Sequence, residues 1–297
     1  RFSIFIFYSI FSCFKLWAEA PPVVLEKGKE KYEIGLNLDI LEDKKGNLTI
    51  SDVSGLKWSK EFKKSSSLSP NLGRSKSTFW VRFKVRNMDP TTKWILSNSF
   101  VGQDYFDFYQ KKKGGWKHIE SGDMVEFSKR EFKMRAFHFT LSQEEETFYY
   151  IKLKGFSNML PLTISADHKF IKENMEANLA FGIYFGLAIM MLIHNLSYYL
   201  RLWEPNYLRY VCHVFIYIIF SGITSGYGYL APTENLRWFN NEGHILFASL
   251  SPLSLNIFAA GFLNLREKNP YLYKISLFWS FIFVILTISV FFIPLFY

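Results

Sequence analysis

Ala177 to Leu200 reads ANLAFGIYFGLAIMMLIHNLSYYL, 24 residues without an Asp, Glu, Lys or Arg. A bilayer hydrocarbon core of roughly 30 Å is crossed by about 20 apolar residues in a helix, so this stretch predicts a membrane span. Before it lies a mixed polar chain. After it come three more runs of the same kind, at about Tyr207–Leu230, Ile245–Leu265 and Ile275–Tyr297, with Arg209 the one charge among them. The chain divides near residue 175 into a watery half and a lipid half, and any function has to couple the two.

The loops between the runs set the orientation. Arg201 and Arg209 flank the first loop, and Arg266, Lys268 and Lys274 occupy the third. The second loop, Ala231–His244, carries Arg237 offset by Glu234 and Glu242. Basic residues near span ends stay in the cytoplasm. Loops one and three are therefore expected inside, and the amino-terminal domain outside.

The amino terminus agrees. Phe2–Leu16 is an apolar core behind Arg1, and Ala18-Glu19-Ala20 is a small-x-small site ahead of Pro21-Pro22. Residues 1–20 therefore read as an export signal lacking its first residues. An uncleaved anchor and a lipoprotein-like Ser12-Cys13 are the alternatives. The chain starts at Arg1 and stops at Tyr297 inside an apolar run, so a fragment of a longer protein is expected.

Composition fits a membrane protein. Of 297 residues 49% are hydrophobic and 19% aromatic, with 32 Phe, an aromatic load that suits a bilayer. The formal net charge is +9, yet no basic tract exceeds Lys111–Lys113, so nucleic acid is not an implied partner. Cys13 and Cys212 lie far apart in apolar segments, which argues against a disulfide and against a Cys/His metal site. No phosphate loop, nucleophile elbow or metal motif is present, and no cofactor is expected.

Residues 21–168 read as β structure. Short runs alternate in period two or are rich in β-branched and aromatic residues: Thr78–Arg86, Trp94–Ser97, Asp104–Gln110, Arg135–Leu141, Thr147–Lys154 and Leu160–Ser165. In TFWVRFKVR, Phe79, Val81, Phe83 and Val85 share one face, and Trp80, Arg82, Lys84 and Arg86 the other. Turn signals at Lys44–Asn47, Asp89-Pro90, Lys113–Gly115 and Ser121–Asp123 separate the runs. Many short strands so punctuated predict an antiparallel β-sandwich. Residues 169–176 form the juxtamembrane linker before the helical bundle at 177–297.

Several short sequences occur in a telling order. Gly46-Asn47-Leu48-Thr49-Ile50-Ser51-Asp52-Val53 comes first, then Asn71-Leu72-Gly73-Arg74-Ser75 leading into Phe79-Trp80-Val81-Arg82-Phe83. Gly115-Trp116, Ser121-Gly122-Asp123, Phe127–Arg130, Tyr149–Lys152 and Leu160–Ile164 follow. Gly182–Gly186 ahead of His194-Asn195-Leu196 carries the pattern into the first span. Over roughly residues 30–230 the chain resembles the bacterial seven-transmembrane receptors with diverse intracellular signalling modules, with their type-2 extracellular domain. The resemblance implies a jelly-roll-like outer domain with a carbohydrate-like ligand, and a multi-pass protein of the bacterial cytoplasmic membrane. It also implies three further spans and a cytoplasmic signalling module, resembling kinases, cyclases or phosphatases, beyond Tyr297. None of those modules is in this chain, so no catalytic activity is expected of it. A homodimer stays open.

Candidate site residues each have a plainer reading. Trp80, Trp94, Tyr105 and Trp116 are candidates to stack on a sugar, against the reading that a sandwich's aromatics fill its core. Arg74, Arg82 and Arg130 are candidates to grip an anionic group, against solvated strand charge. Asp104 and Asp107 suggest a hydrolytic pair, but their odd offset puts them on opposite faces of a strand. His194, Asn195 and His213 are relay candidates within the spans, against ordinary helix packing. Ser221, Gly222, Ser225, Gly226 and Gly228 give the second span a small-residue face, and Pro252 is placed to kink the third. The expected function is a transmembrane receptor. An accessory membrane protein with a protein-binding sandwich and a membrane-bound carbohydrate enzyme are the alternatives.

Overall fold

The structure, a computed structural model, describes residues 19–155, 157–230 and 237–292. Most of the expected export signal, much of the second inter-helix loop and the end of the fourth predicted span lie outside the described residues.

Two sheets face each other. The first, sheet A, has seven strands. They are β1 (Val23–Leu25), β3 (Asp39–Asp43), β4 (Lys63–Lys64), β5 (Thr78–Asn87), β7 (Tyr105–Lys112), β8 (Gly115–Ile119) and β10 (Glu146–Lys154). Their order is β4-β3-β5-β10-β7-β8, with β1 added parallel to the end of β5. Sheet B is antiparallel in the order β2-β11-β6-β9, from β2 (Lys31–Glu33), β6 (Trp94–Asn98), β9 (Phe137–Thr140) and β11 (Leu162–Ala166). The six strands anticipated from alternation are all present. β1–β4 and β8 were not anticipated, and β1, β2 and β4, of two or three residues, are too short to show a period.

Side-chain alternation fills the space between the sheets. Phe83, Tyr149, Phe108, Phe139, Phe106 and Phe137 form a chain of near-parallel rings with centroids 4.6–5.8 Å apart. It runs from sheet A into sheet B, and all six rings are buried. The Tyr149 hydroxyl accepts from the Ser142 amide at 2.9 Å, so its polar end is satisfied. Trp94 belongs here too, edge-on to Tyr32 at 5.7 Å.

A second, smaller core lies on the far side of sheet A. Between β3 and β4 the chain forms two single-turn helices, α1 (Ile50–Val53) and α2 (Leu56–Ser59). Thr49 and Asp52 form a reciprocal capping box on α1. The Asp43 carboxylate accepts from the amides of Gly46 and Leu48 at 2.8 and 2.9 Å. This excursion packs Val53 and Phe62 against Leu41, Trp80 and Tyr150. The face of β5 that reads as the outer one is thereby covered over half its length.

Among the described residues, four helices have the length and composition to cross a membrane. The helix α3 (Asp167–Leu202) starts at the residue after β11 and runs 36 residues without interruption. It absorbs the expected linker and extends the first span at its amino-terminal side. The helix α4 (Pro205–Thr224) ends earlier than the predicted second span. It is followed by α5 (Arg237–Phe262), which contains Pro252, a short α6 (Leu265–Lys268) and α7 (Pro270–Ser289). Trp203, in the left-handed conformation, and Pro205 at the first turn of α4 make the tight connection between α3 and α4.

Truncating the ring at the centre of the stack, Phe108→Ala, is expected to cost about 3–5 kcal/mol of sandwich stability. Leu56→Ala, at a side chain 90% exposed, should leave stability within about 0.5 kcal/mol. Chemical denaturation followed by near-ultraviolet circular dichroism separates the two.

Candidate functional site

The open part of the outer face of sheet A is built by the β7–β8 hairpin and β10. Its register pairs Tyr109 with His118, Lys111 with Trp116, Tyr150 with Tyr109 and Lys152 with Asp107. The Tyr109 and His118 rings stack in parallel at 4.4 Å. Tyr109 in turn contacts Trp80 at 5.6 Å, and Trp116 stands edge-on to Tyr150 at 5.2 Å. Lys111 lies over the Trp116 ring, and Lys152 over Trp80. The Asp107 carboxylate is 3.9 Å from His118 Nε2. Burial pushes that carboxyl above its ordinary range, against the pull of His118 and Lys152. Burial also raises the Tyr109 phenol to about 12, so it stays a neutral donor. Chemically this is an aromatic platform edged by hydrogen-bonding groups of both signs, a composition suited to a polar ligand with flat apolar faces.

The predicted site residues separate on this geometry. Trp116 and Tyr105 belong to the open face. Trp80 shares that face but is wholly buried under the excursion, and Trp94 is buried between the sheets; neither has a ring face for a ligand, which corrects the stacking expectation for both. Arg82 is also buried. Its guanidinium bonds Asp39 Oδ2 at 3.0 Å and Ser59 Oγ at 2.7 Å and covers the Phe62 ring, so it ties the excursion to the sheet instead of gripping an anion. Arg130 is buried as well, donating to the carbonyls of Gly122 and Met134. It pins the loop ahead of β9 and corrects the same expectation there. Arg74 is exposed, in the loop ahead of β5. Tyr109, His118 and Lys152 were not singled out, and Tyr150 is buried in the smaller core. The turn signal at Lys113–Gly115 held the clue, because folding the chain back there opposes Tyr109 to His118.

Sheet B carries the opposite surface. His138 and Ser97 face outward and share a 2.9 Å hydrogen bond. Phe170, in the first turn of α3, packs edge-on against His138 at 4.8 Å and against Phe132 at 5.6 Å. Lys31 pairs with Glu173 at 2.8 Å, and His168 with Glu30 at 2.8 Å. The base of α3 is thus packed and tied to the sandwich on several sides.

Within the bundle, His213 reaches Ser254 of α5 at 3.0 Å, a helix–helix contact. Asn195 bonds the Met191 carbonyl of its own helix, and His194 is exposed beside Tyr198. Asn256, missed in the sequence, donates to the Ser276 carbonyl and to Ser280 Oγ at 2.8 and 2.9 Å and joins α5 to α7.

A β-sandwich joined by one continuous helix to a set of membrane-length helices defines a membrane protein with a folded domain ahead of its helical part. Residues 35–166 match the family described as 7TMR-DISM extracellular 2, and residues 177–297 match the one described as 7TM diverse intracellular signalling. The chain belongs to this family of transmembrane signalling receptors with an extracellular domain. No curated protein matches it. The two matched regions meet across the first turns of α3, at the structural join.

His138 gives a pH test of that join. Burial, with Arg135 and Arg130 nearby, lowers its pKa from 6.5 to about 4. The unfolded chain then binds a proton that the folded one refuses, so the contribution is fully present above pH 6.5 and is lost as pH falls toward 4. His138→Gln should be less sensitive than the parent in that window, with the difference growing below pH 6.5 and levelling near 4. Unfolding curves of both chains across the window check it.

Proposed function

We propose that the open face of sheet A binds a carbohydrate-like small molecule outside the bacterial cytoplasmic membrane, and that α3 carries the change into the bundle. The supporting observation is the unbroken helix from Asp167 to Leu202. At 1.5 Å per residue it is about 54 Å long, against roughly 30 Å of hydrocarbon. The remainder extends beyond the hydrocarbon as a rigid stem, with Phe170 in its first turn buried against the sandwich. A ligand acts only through its difference in affinity between two states; a stem with no spacer lets a tilt of the sandwich become a tilt of the span.

The basic residues near these span ends support a cytoplasmic side for the α3–α4 and α5–α7 connections. In this reading the output is a cytoplasmic signalling module, and the chain described here senses and relays without catalysing a reaction.

The full chain in phospholipid nanodiscs, titrated calorimetrically with a panel of neutral and acidic oligosaccharides, tests the ligand. At least one should bind, and Trp116→Ala or Tyr109→Ala should weaken it by about 30-fold or more. Silence across the panel from the parent chain rules out the ligand class. Binding that ignores both substitutions moves the site off this face.

A further inference from the structure

The sandwich touches the bundle at a second point, beyond the base of α3. Arg135, just ahead of β9, donates from Nη1 to the Ser225 carbonyl at 3.3 Å. Its guanidinium lies over the rings of Phe181 at 5.0 Å and Tyr227 at 5.8 Å. Those two rings meet edge-on at 5.2 Å, and the Tyr227 hydroxyl donates to Asn178 Oδ1 at 2.9 Å. Phe181 and Asn178 belong to α3, whereas Ser225 caps α4. One side chain from the sandwich therefore sits in a cage made by both helices.

The cage suits a cation for two separate reasons. Ser225 is the C-cap of α4, where carbonyls lack helical partners and the helix dipole is negative. Two aromatic faces add cation–π attraction. The chain also leaves α4 through Gly226 at φ +79°, where a side chain would be strained and its Cβ would crowd the sandwich, 3.0 Å from Val101 Cγ1 and 3.3 Å from Arg135 Cβ. Glycine thus supplies the left-handed cap and lets the sandwich sit directly on the helix end.

We propose that Arg135 is the positioning residue that latches the sandwich to the outer end of α4, so that the sandwich controls the spacing of α3 and α4 as well as the tilt of α3. The covalent stem through Ala166 is permanent. The Arg135 cage is held by one hydrogen bond and two ring contacts and can open. For its signalling consequence the latch rests on the receptor reading, but its existence does not, and the oligosaccharide titration can fail without touching it.

Hydrogen–deuterium exchange on the full chain in phosphatidylcholine–phosphatidylglycerol nanodiscs tests it. Arg135→Ala should accelerate exchange of the Ile223–Gly226 amides by about tenfold, the loss of one cation–π cage. Exchange in β5 and β10 should stay at the parent rate. Arg135→Lys, which keeps the charge without the planar fork, should restore part of the protection. Tyr227→Leu alters the cage from the bundle side and cannot unfold the sandwich core, so it should reproduce the pattern and also loosen the loop around Arg135. Unchanged exchange at Ile223–Gly226 in Arg135→Ala and Tyr227→Leu overturns the latch. Acceleration spread evenly through β5 and β10 in Arg135→Ala, with Tyr227→Leu silent, overturns it too, because Arg135 would then be serving only the sandwich fold.

Discussion

The strand alternation that stacks Phe83, Tyr149, Phe108, Phe139, Phe106 and Phe137 between the sheets is the constraint on which the rest depends. A strand that commits one face to those rings must commit the other face elsewhere. For β7 the other face carries Asp107 and Tyr109, and for β9 it carries His138. The ring stack therefore holds together two surfaces with opposite duties. One is the aromatic platform open to solvent, the other the seat of α3. A shift of one residue in β7 would bury Asp107 among phenylalanines and expose Phe108.

The second constraint is the absence of any spacer at Ala166. A strand that ends where a 36-residue helix begins leaves no soft segment. The helix base is held by Phe170 against His138 and Phe132 and by two ion pairs at its rim. The ion pairs are exposed and individually weak, so apolar packing around Phe170 carries more of the attachment. The electrostatics add to this packing, with Lys31 and Glu30 on the strand side meeting Glu173 and His168 on the helix side.

Much of this was legible in the sequence. The spans announced themselves by length and absence of charge, and β5, β6, β7, β9, β10 and β11 by alternation or by β-branched and aromatic content. Trp80 was misread because alternation places it opposite Phe79, on what looks like a free face. Only the long-range docking of residues 44–62 shows that this face is covered. Arg82 and Arg130 were misread for a related reason, since their partners, Asp39 and the Gly122 carbonyl, are brought near only by tertiary folding. Tyr109 and His118 required a register, and Arg135 required knowing where α4 ends. Asn256 could have been noticed as an amide in an apolar run, in the same way as His213.

The length of α3 also makes the bilayer itself a participant. A rigid rod of about 54 Å tilted by about 5° moves its far end by roughly 5 Å, and tilting shortens the apolar length it presents along the membrane normal. Where ligand and tilt are coupled through the sandwich, reciprocity requires that bilayer thickness and ligand affinity be coupled by the same free energy. Ligand affinity measured across lipids of graded chain length reads that coupling directly. The lipid composition around such a receptor then acts as a second, distributed effector, one that needs no binding pocket.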